Sequence, residues 1–115
     1  MEVGSETKRI IDSALSGDRG EDQQRIAVKG LEWLKTILKK NHDYGSSVWR
    51  EPVLAPGMPI ASAIQVRMSD KVSRIQALLR LEVEGEVAET LEDTITDLGS
   101  YCLLWIARPE DRDDG

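Results

Sequence analysis

The segment PIASAIQVRMSDKVSRIQALL, residues 59–79, decides the fold. Its large apolar side chains recur every three or four residues, at Ile64, Met68, Val72, Ile75 and Leu79. That spacing places apolar side chains along one face of an α-helix. Pro59 stands where a proline is favoured, at the start of a helix. The segment therefore predicts an amphipathic helix with one apolar face.

Three further segments show the same periodicity. Residues 6–15 predict a short first helix, and residues 22–41 predict a second helix with Asp22 as its N-cap. A fourth helix is predicted from Glu86 to just before Pro109. Its buried stripe is expected at Val87, Leu91, Ile95, Leu98, Cys102 and Trp105. Because no segment shows convincing strand alternation, we expect an all-α fold, a small four-helix bundle-like domain.

The predicted organisation is a single all-α domain over residues 1–115. Residues 1–20 supply an N-terminal helix and linker, and residues 109–115 form a charged tail. A long irregular loop, residues 42–59, joins the second and third helices. Loops of this length are usually functional or disordered. The apolar residues within it favour a loop held against a core or a partner: Val48, Trp49, Val53, Leu54 and Met58.

Composition excludes several classes of protein. The formal net charge of -6 disfavours general binding to nucleic acids or to anionic membranes. No apolar run approaches the roughly 18 residues of a membrane span. The N-terminus lacks an apolar signal region, so a cytoplasmic location is expected. The single cysteine, Cys102, excludes an internal disulfide and a cysteine-based zinc site, and we expect it to be buried and inert.

Cations cluster on the third helix, in the stretch RMSDKVSR at residues 67–74. Since a helix turns by about 100° per residue, Arg67, Lys71 and Arg74 share one face at the border of the apolar stripe. Asp70 lies beside them. One interpretation is a set of ion pairs along a solvated helix face. The other is a phosphate-binding edge of a partly dry pocket.

Acids recur every four residues on the fourth helix, at Glu89, Asp93 and Asp97. Such like-charge neighbours destabilise a helix by a few tenths of a kcal/mol per pair, roughly. Cations on the third helix could offset this, or Asp93 and Asp97 could bind Mg²⁺. A plain acidic first half of the helix, favoured by its dipole, is the alternative. We predict that Asp70, Lys71, Asp93 and Asp97 lie near one another.

The turn KNHDYGSS, residues 40–47, follows the second helix. Its backbone N–H groups and hydroxyls could recognise an anion or a base. Gly45 could equally serve only as a helix C-cap. The candidate ligand contacts in the turn are Lys40, Asp43, Tyr44, Gly45 and Ser46. Those on the later helices are Arg67, Asp70, Lys71, Arg74 and Tyr101.

The order of these motifs resembles a family common in bacteriophage genomes, the nucleotide modification associated domain 1 family. The similar stretches are KNHDYGSS and RMSDKVSR, followed by ETLEDT at residues 89–94 and DLGSY at residues 97–101. Together they extend over roughly two thirds of the chain. A more distant similarity is to MazG-like all-α nucleotide pyrophosphohydrolases, whose Glu-Glu-x-x-Glu helix has no counterpart in this sequence.

The resemblance implies a role in phage or bacterial nucleotide metabolism or in DNA-base modification, and it assigns no catalytic residue. We therefore expect a phage-type protein that binds a phosphorylated nucleotide, with or without Mg²⁺-dependent hydrolysis. The alternative is a non-catalytic protein that acts by oligomeric interaction or by sequestering a nucleotide. Four short helices carry many Trp, Leu and Ile residues, and apolar surface that one chain cannot bury is normally covered by another subunit. We therefore predict a homodimer or a higher homo-oligomer.

Overall fold

The structure is a computed structural model that describes residues 3–17, 20–81 and 86–110. It contains four α-helices, α1 (Val3–Leu15), α2 (Glu21–Asp43), α3 (Ile60–Leu79) and α4 (Glu86–Ile106). A short 3-10 turn, Ser47–Trp49, lies between α2 and α3. Within the described ranges there is no strand. The predicted all-α, four-helix architecture is confirmed.

Helix boundaries differ from the predictions mainly at the first two N-termini. α1 begins at Val3, three residues before the predicted start. α2 begins at Glu21, so Asp22 lies inside its first turn and the prediction of Asp22 as N-cap is wrong. The reason is that the N–H of Gln24 donates to the carbonyl oxygen of Gly20 at 3.1 Å, which closes the first helical turn one residue earlier. Pro59 precedes α3 directly.

The chain divides into two compact units, Met1–Thr36 and Ile37–Gly115, with the boundary inside α2. In the first unit, none of the side chains whose exposure is described is buried. The second unit contains the core, whose buried apolar residues are Ile37, Val48, Ala63 and Ile64. The expectation that residues 1–115 form a single domain stays a prediction.

The core of the second unit lies between α3 and α4, which pack against each other. Because only six residues, 80–85, separate the two helices, they run antiparallel. Ile64 on α3 is fully buried at 0% exposure. Thr94 on α4 is buried as well, and its Oγ1 donates to the carbonyl oxygen of Thr90 at 2.8 Å. This bond satisfies the one buried polar side chain among the described residues.

The predicted apolar stripes are only partly buried. Ile95 on α4 is 51% exposed, and Val72 and Leu79 on α3 are 43% and 60% exposed. Two packed helices cover only a narrow arc of each other, whereas the apolar residues of α3 and α4 occupy wider arcs. Cys102 is half-buried rather than buried. The side chain of Val87 lies outside the described part of the chain.

The loop between α2 and α3 is attached to the core at one end. Val48 is buried, the 3-10 turn contacts α3, and the indole Nε1–H of Trp49 donates to the carbonyl oxygen of Leu104 at 3.1 Å. Val53 and Leu54 are 92% and 97% exposed, so they are not held against this core. The attachment predicted from the apolar residues of the loop is thus confirmed at its start and absent at its tip.

None of the described helices has both the length and the apolar character required to cross a bilayer. Residues 111–115 of the predicted charged tail lie outside the described residues, as do residues 82–85 between α3 and α4.

Candidate functional site

An ion pair joins α3 to α4 across the packed helices. Lys71 Nζ lies 3.5 Å from Asp97 Oδ2, with 28% of the Lys71 side chain and 45% of the Asp97 side chain exposed. The other ion pairs of the described residues join neighbours on one helix turn, whereas this one spans two helices. Of the predicted group of Asp70, Lys71, Asp93 and Asp97, the proximity of Lys71 and Asp97 is confirmed, whereas that of Asp70 and Asp93 to them stays a prediction. Lys71 is thereby positioned by a carboxylate from another element.

Two further cations lie on the same helix as Lys71. Arg67 precedes it by four residues and Arg74 follows it by three, so all three project from one side of α3. Both arginines are exposed, and neither forms an ion pair with any described residue. Asp70 is exposed too and has no ion-pair partner in the described ranges. The first interpretation, a set of ion pairs along a solvated face of α3, is therefore not supported by the contacts of the described residues.

The acids of α4 do not gather into a chelating group. Asp93 and Glu89 are exposed, and Asp93 has no ion-pair partner among the residues described. Across the same residues, no group of three or more His, Cys, Asp and Glu side chains is arranged to hold a metal ion. Asp97 is bound to Lys71. A magnesium ion at Asp93 and Asp97 would therefore need most of its ligands from water or from a bound phosphate.

The turn after α2 forms a helix C-cap with both of its characteristic hydrogen bonds. Gly45 has a φ of 60°, and its N–H donates to the carbonyl oxygen of His42 at 3.1 Å. The N–H of Ser46 donates to the carbonyl oxygen of Asn41 at 3.0 Å. This pair of bonds is the Schellman motif, with Gly45 as its left-handed residue. Of the two interpretations of the turn, the contacts favour the cap.

The cap leaves few free donors in the turn for a ligand. The N–H groups of Tyr44 and Ser47 donate to the carbonyl oxygens of Lys40 and Tyr44, at 3.0 Å and 3.3 Å. The Ser46 hydroxyl donates to Asn41 Oδ1 at 3.0 Å. Because these groups are already bonded within the chain, an anion would have to be recognised by side chains instead.

The remaining candidates of the turn are side chains at the end of α2. Tyr44 is 68% exposed, and Lys40 is exposed without an ion-pair partner among the described residues. Asp43 is bound by Lys39, whose Nζ lies 2.9 Å from Asp43 Oδ2. Tyr44 is therefore the side chain of the turn best placed to meet a ligand.

The 3-10 turn and the Lys71–Asp97 ion pair meet α4 at different positions along its axis. The 3-10 turn is attached at Leu104, seven residues after Asp97. At a rise of about 1.5 Å per residue, this attachment lies about 10 Å along the helix from the ion pair. Tyr101, which is half-buried, falls between the two. A ligand that touched both the turn and Lys71 would have to extend along α4 past Tyr101.

Sequence reasoning missed the cluster at the end of α4. Arg108 lies over the ring of Trp105 with its Cζ 4.1 Å from the ring centroid, and its Nη1 donates to the Trp105 carbonyl oxygen at 2.7 Å. The indole Nε1 of Trp105 is buried and has no hydrogen-bond partner among the described residues. An arginine three residues after a tryptophan at a helix end was the available signal, because that spacing permits cation–π contact.

A comparison of the chain with protein-family models, with curated proteins and with solved structures finds no match.

Proposed function

We propose that the second unit binds the phosphate of a nucleotide-like small molecule at the face of α3 formed by Arg67, Lys71 and Arg74. The resemblance of the sequence motifs to a phage nucleotide-associated family suggested this function. The observation that carries it is the position of Lys71, which is only 28% exposed and is fixed by Asp97 on the neighbouring helix.

Charge supports an anionic ligand at this face. On α3 itself three cations, Arg67, Lys71 and Arg74, accompany a single carboxylate, Asp70, although the net charge of the chain is -6. The guanidinium groups of Arg67 and Arg74 have no carboxylate partner in the described residues, so their planar donors are available. Arginine guanidinium groups and lysine ammonium groups are the usual hydrogen-bond donors to phosphate oxygens.

The exposed ring of Tyr44 would stack on the base of the ligand. Tyr101 would lie beneath its sugar, between the base and the phosphate. Asp93 or Asp97 could add a carboxylate oxygen to a Mg²⁺ ion that arrives with the ligand's phosphate and its own water, and such an ion would supply polarisation of the phosphate. If the phosphate is hydrolysed, Arg67, Lys71 and Arg74 would stabilise the negative charge of the leaving group. Phage-type nucleotide metabolism or DNA modification is the setting that the motifs favour.

Calorimetric titration with nucleoside mono-, di- and triphosphates, with and without Mg²⁺, tests the proposal. We expect binding that strengthens with the number of phosphates, and Lys71→Met should weaken it by about tenfold or more, since a charge-assisted hydrogen bond contributes roughly 1.5–3 kcal/mol. Lys29→Met is the matched control, because Lys29 is also paired with a carboxylate, Glu32 at 3.9 Å, but lies on α2. Release of phosphate measured in the same samples would distinguish an enzyme from a binder.

The alternative function is a non-catalytic protein that acts through oligomeric interaction. It is favoured by the large number of exposed apolar side chains, among them Ile26 at 69% and Leu38 at 60%. The absence of heat or thermal stabilisation with every nucleotide, with and without Mg²⁺, would overturn the nucleotide proposal and leave this alternative.

A further inference from the structure

The three cations of α3 follow one another along one edge of the packed helices. At about 100° per residue, Arg67 is turned by about 40° and Arg74 by about 60° from Lys71, both in the same sense. Arg67 lies about 6 Å before Lys71 along the helix axis, and Arg74 lies about 4.5 Å after it. The ion pair between Lys71 and Asp97 brings this edge of α3 against α4. We call Arg67, Lys71 and Arg74 the cation row.

The cation row is closed at one end and open at the other. The 3-10 turn contacts α3 and is bonded to Leu104 near the end of α4. Because α3 and α4 run antiparallel, this attachment lies at the Arg67 end of the row, where Ile64 is fully buried. Beyond Arg74, at the other end, Leu79 is 60% exposed. The loop therefore shields one end of the row from solvent and leaves the other end in water.

The side chains of α4 show the same direction. Tyr101 lies about one helix turn after Asp97, toward the closed end, and is half-buried. Asp93 lies about one turn before Asp97, toward the open end, and is exposed. An aromatic ring stacks on a base or packs beneath a sugar, whereas a phosphate is costly to remove from water. A ligand that lies along the row therefore has its nucleoside at the closed end.

We infer that the ligand is a nucleoside with a chain of three phosphates, whose first phosphate meets Arg67, whose second meets Lys71 and whose last meets Arg74. This inference rests on the proposed function, because it assigns the phosphates to the cations of the same site. The row extends over about 10 Å, whereas the oxygens of one phosphate lie within about a hydrogen-bond length of one another. One phosphate therefore fills only part of the row.

The Lys71–Asp97 ion pair favours a chain of phosphates over a single phosphate held by all three cations. Lys71 Nζ lies 3.5 Å from Asp97 Oδ2, and the lysine side chain is only 28% exposed, so it is not free to follow an anion outward. A phosphate drawn between the two arginines would lie over this pair, beside the Asp97 carboxylate, which repels it. Phosphates spread along the row reach Arg67 and Arg74 on either side of that carboxylate.

Calorimetric titration with adenosine mono-, di- and triphosphate (AMP, ADP and ATP), without Mg²⁺, tests the order of the phosphates. We expect Arg67→Met to weaken the binding of all three nucleotides by about tenfold, the scale of one lost charge-assisted hydrogen bond. Arg74→Met should weaken ATP binding by about tenfold as well. It should leave AMP binding within about twofold of the parent value, because an exposed charge about a Debye length away is largely screened at physiological ionic strength.

Arg80→Met is the matched control for both substitutions. Arg80 is also an exposed arginine and follows the last residue of α3, but it is turned by about 180° from Lys71. Its replacement removes the same charge from the chain and should leave all three affinities unchanged. Arg67 and Arg74 are exposed and have no ion-pair partner among the described residues, so helix content by circular dichroism should be retained in their variants.

Asp93→Asn tests the position of the last phosphate with the opposite sign. Asp93 lies toward the open end of the row, where its carboxylate should repel the last phosphate of ATP when Mg²⁺ is absent. We expect the substitution to strengthen ATP binding by about twofold or more and to leave AMP binding unchanged. An Asp93→Asn variant that fails to strengthen ATP binding would overturn the inference.

The remaining outcomes separate this inference from the proposed function. Equal weakening of AMP, ADP and ATP binding by Arg67→Met and Arg74→Met would show that the cations converge on one phosphate. AMP binding that depends on Arg74 and not on Arg67 would show the reverse direction. Either result would overturn the inference and leave the proposed function standing. A parent protein that binds none of the three nucleotides would overturn both.

Discussion

Gly45 is a residue at which the backbone requires a left-handed conformation. Its φ of 60° closes the Schellman cap of α2, and a Cβ would lie 3.4 Å from Arg50 Nη2, an ordinary contact. The penalty for Gly45→Ala is therefore conformational, and we expect it to lower the free energy of unfolding by about 1 kcal/mol. Urea denaturation followed by circular dichroism, at one fixed protein concentration, measures it.

Gly4→Ala provides the comparison for that measurement, because Gly4 is helical, has no positive φ and has open space around it. The urea midpoint of the Gly4→Ala variant should equal that of the parent protein or be slightly higher. Equal effects of the two alanine substitutions would show that the cap does not stabilise the end of α2.

The two tryptophans of the second unit differ in one hydrogen bond. Trp49 donates to the Leu104 carbonyl oxygen, whereas the buried indole N–H of Trp105 has no partner among the described residues. Replacement by phenylalanine shortens the aromatic side chain at both sites and keeps an aromatic face for Arg108 at Trp105, but it removes a hydrogen bond only at Trp49. We expect Trp49→Phe to destabilise the protein by about 1 kcal/mol more than Trp105→Phe in the same denaturation experiment. The reverse order would contradict the role of Trp49 as the anchor of the loop.

At the scale of elements, the Lys71–Asp97 pair is the one ion pair that couples two helices within the described ranges. Because both side chains are partly exposed, we expect a coupling of only about 0.5–1 kcal/mol in a double-mutant cycle of Lys71→Met and Asp97→Asn. The exposed pair Lys39–Asp43, on one helix, should couple by about 0.3–0.5 kcal/mol. Coupling across α3 and α4 that is indistinguishable from zero would show that Asp97 does not fix Lys71.

The same elements show what could be predicted from the sequence. Helix positions followed from periodicity, and the proximity of Lys71 and Asp97 followed from charge at the border of two apolar stripes. The exposure of Val72, Leu79 and Ile95 could not be predicted, because periodicity identifies an apolar face without identifying what covers it. The cap at Gly45 was one of two interpretations, and only the hydrogen bonds of Gly45 and Ser46 distinguish them. Periodicity alone could not anticipate the contacts at Trp105 and Arg108, which depend on the chosen rotamers.

At the scale of the whole molecule, the uneven distribution of buried residues predicts uneven stability. All the described buried residues belong to the unit Ile37–Gly115, and Ile64 at 0% exposure marks its centre. Local opening requires little free energy where few apolar contacts are lost. We therefore expect the amide hydrogens of α1 to exchange at nearly unfolded-chain rates in dilute protein, while those around Ile64 exchange most slowly. Hydrogen exchange read by mass spectrometry measures both.

Protein concentration adds the decisive comparison to that experiment. If the chain associates through the apolar side chains that the first unit leaves exposed, as the alternative function requires, raising the concentration should slow exchange in that unit, because opening there must first separate the oligomer. Exchange around Ile64, which is already buried within one chain, should change less. Equal slowing in both regions would indicate a stabilisation of the whole chain rather than an interface on the first unit, and equal protection of α1 and α3 in dilute protein would show that the first unit is held by contacts of its own.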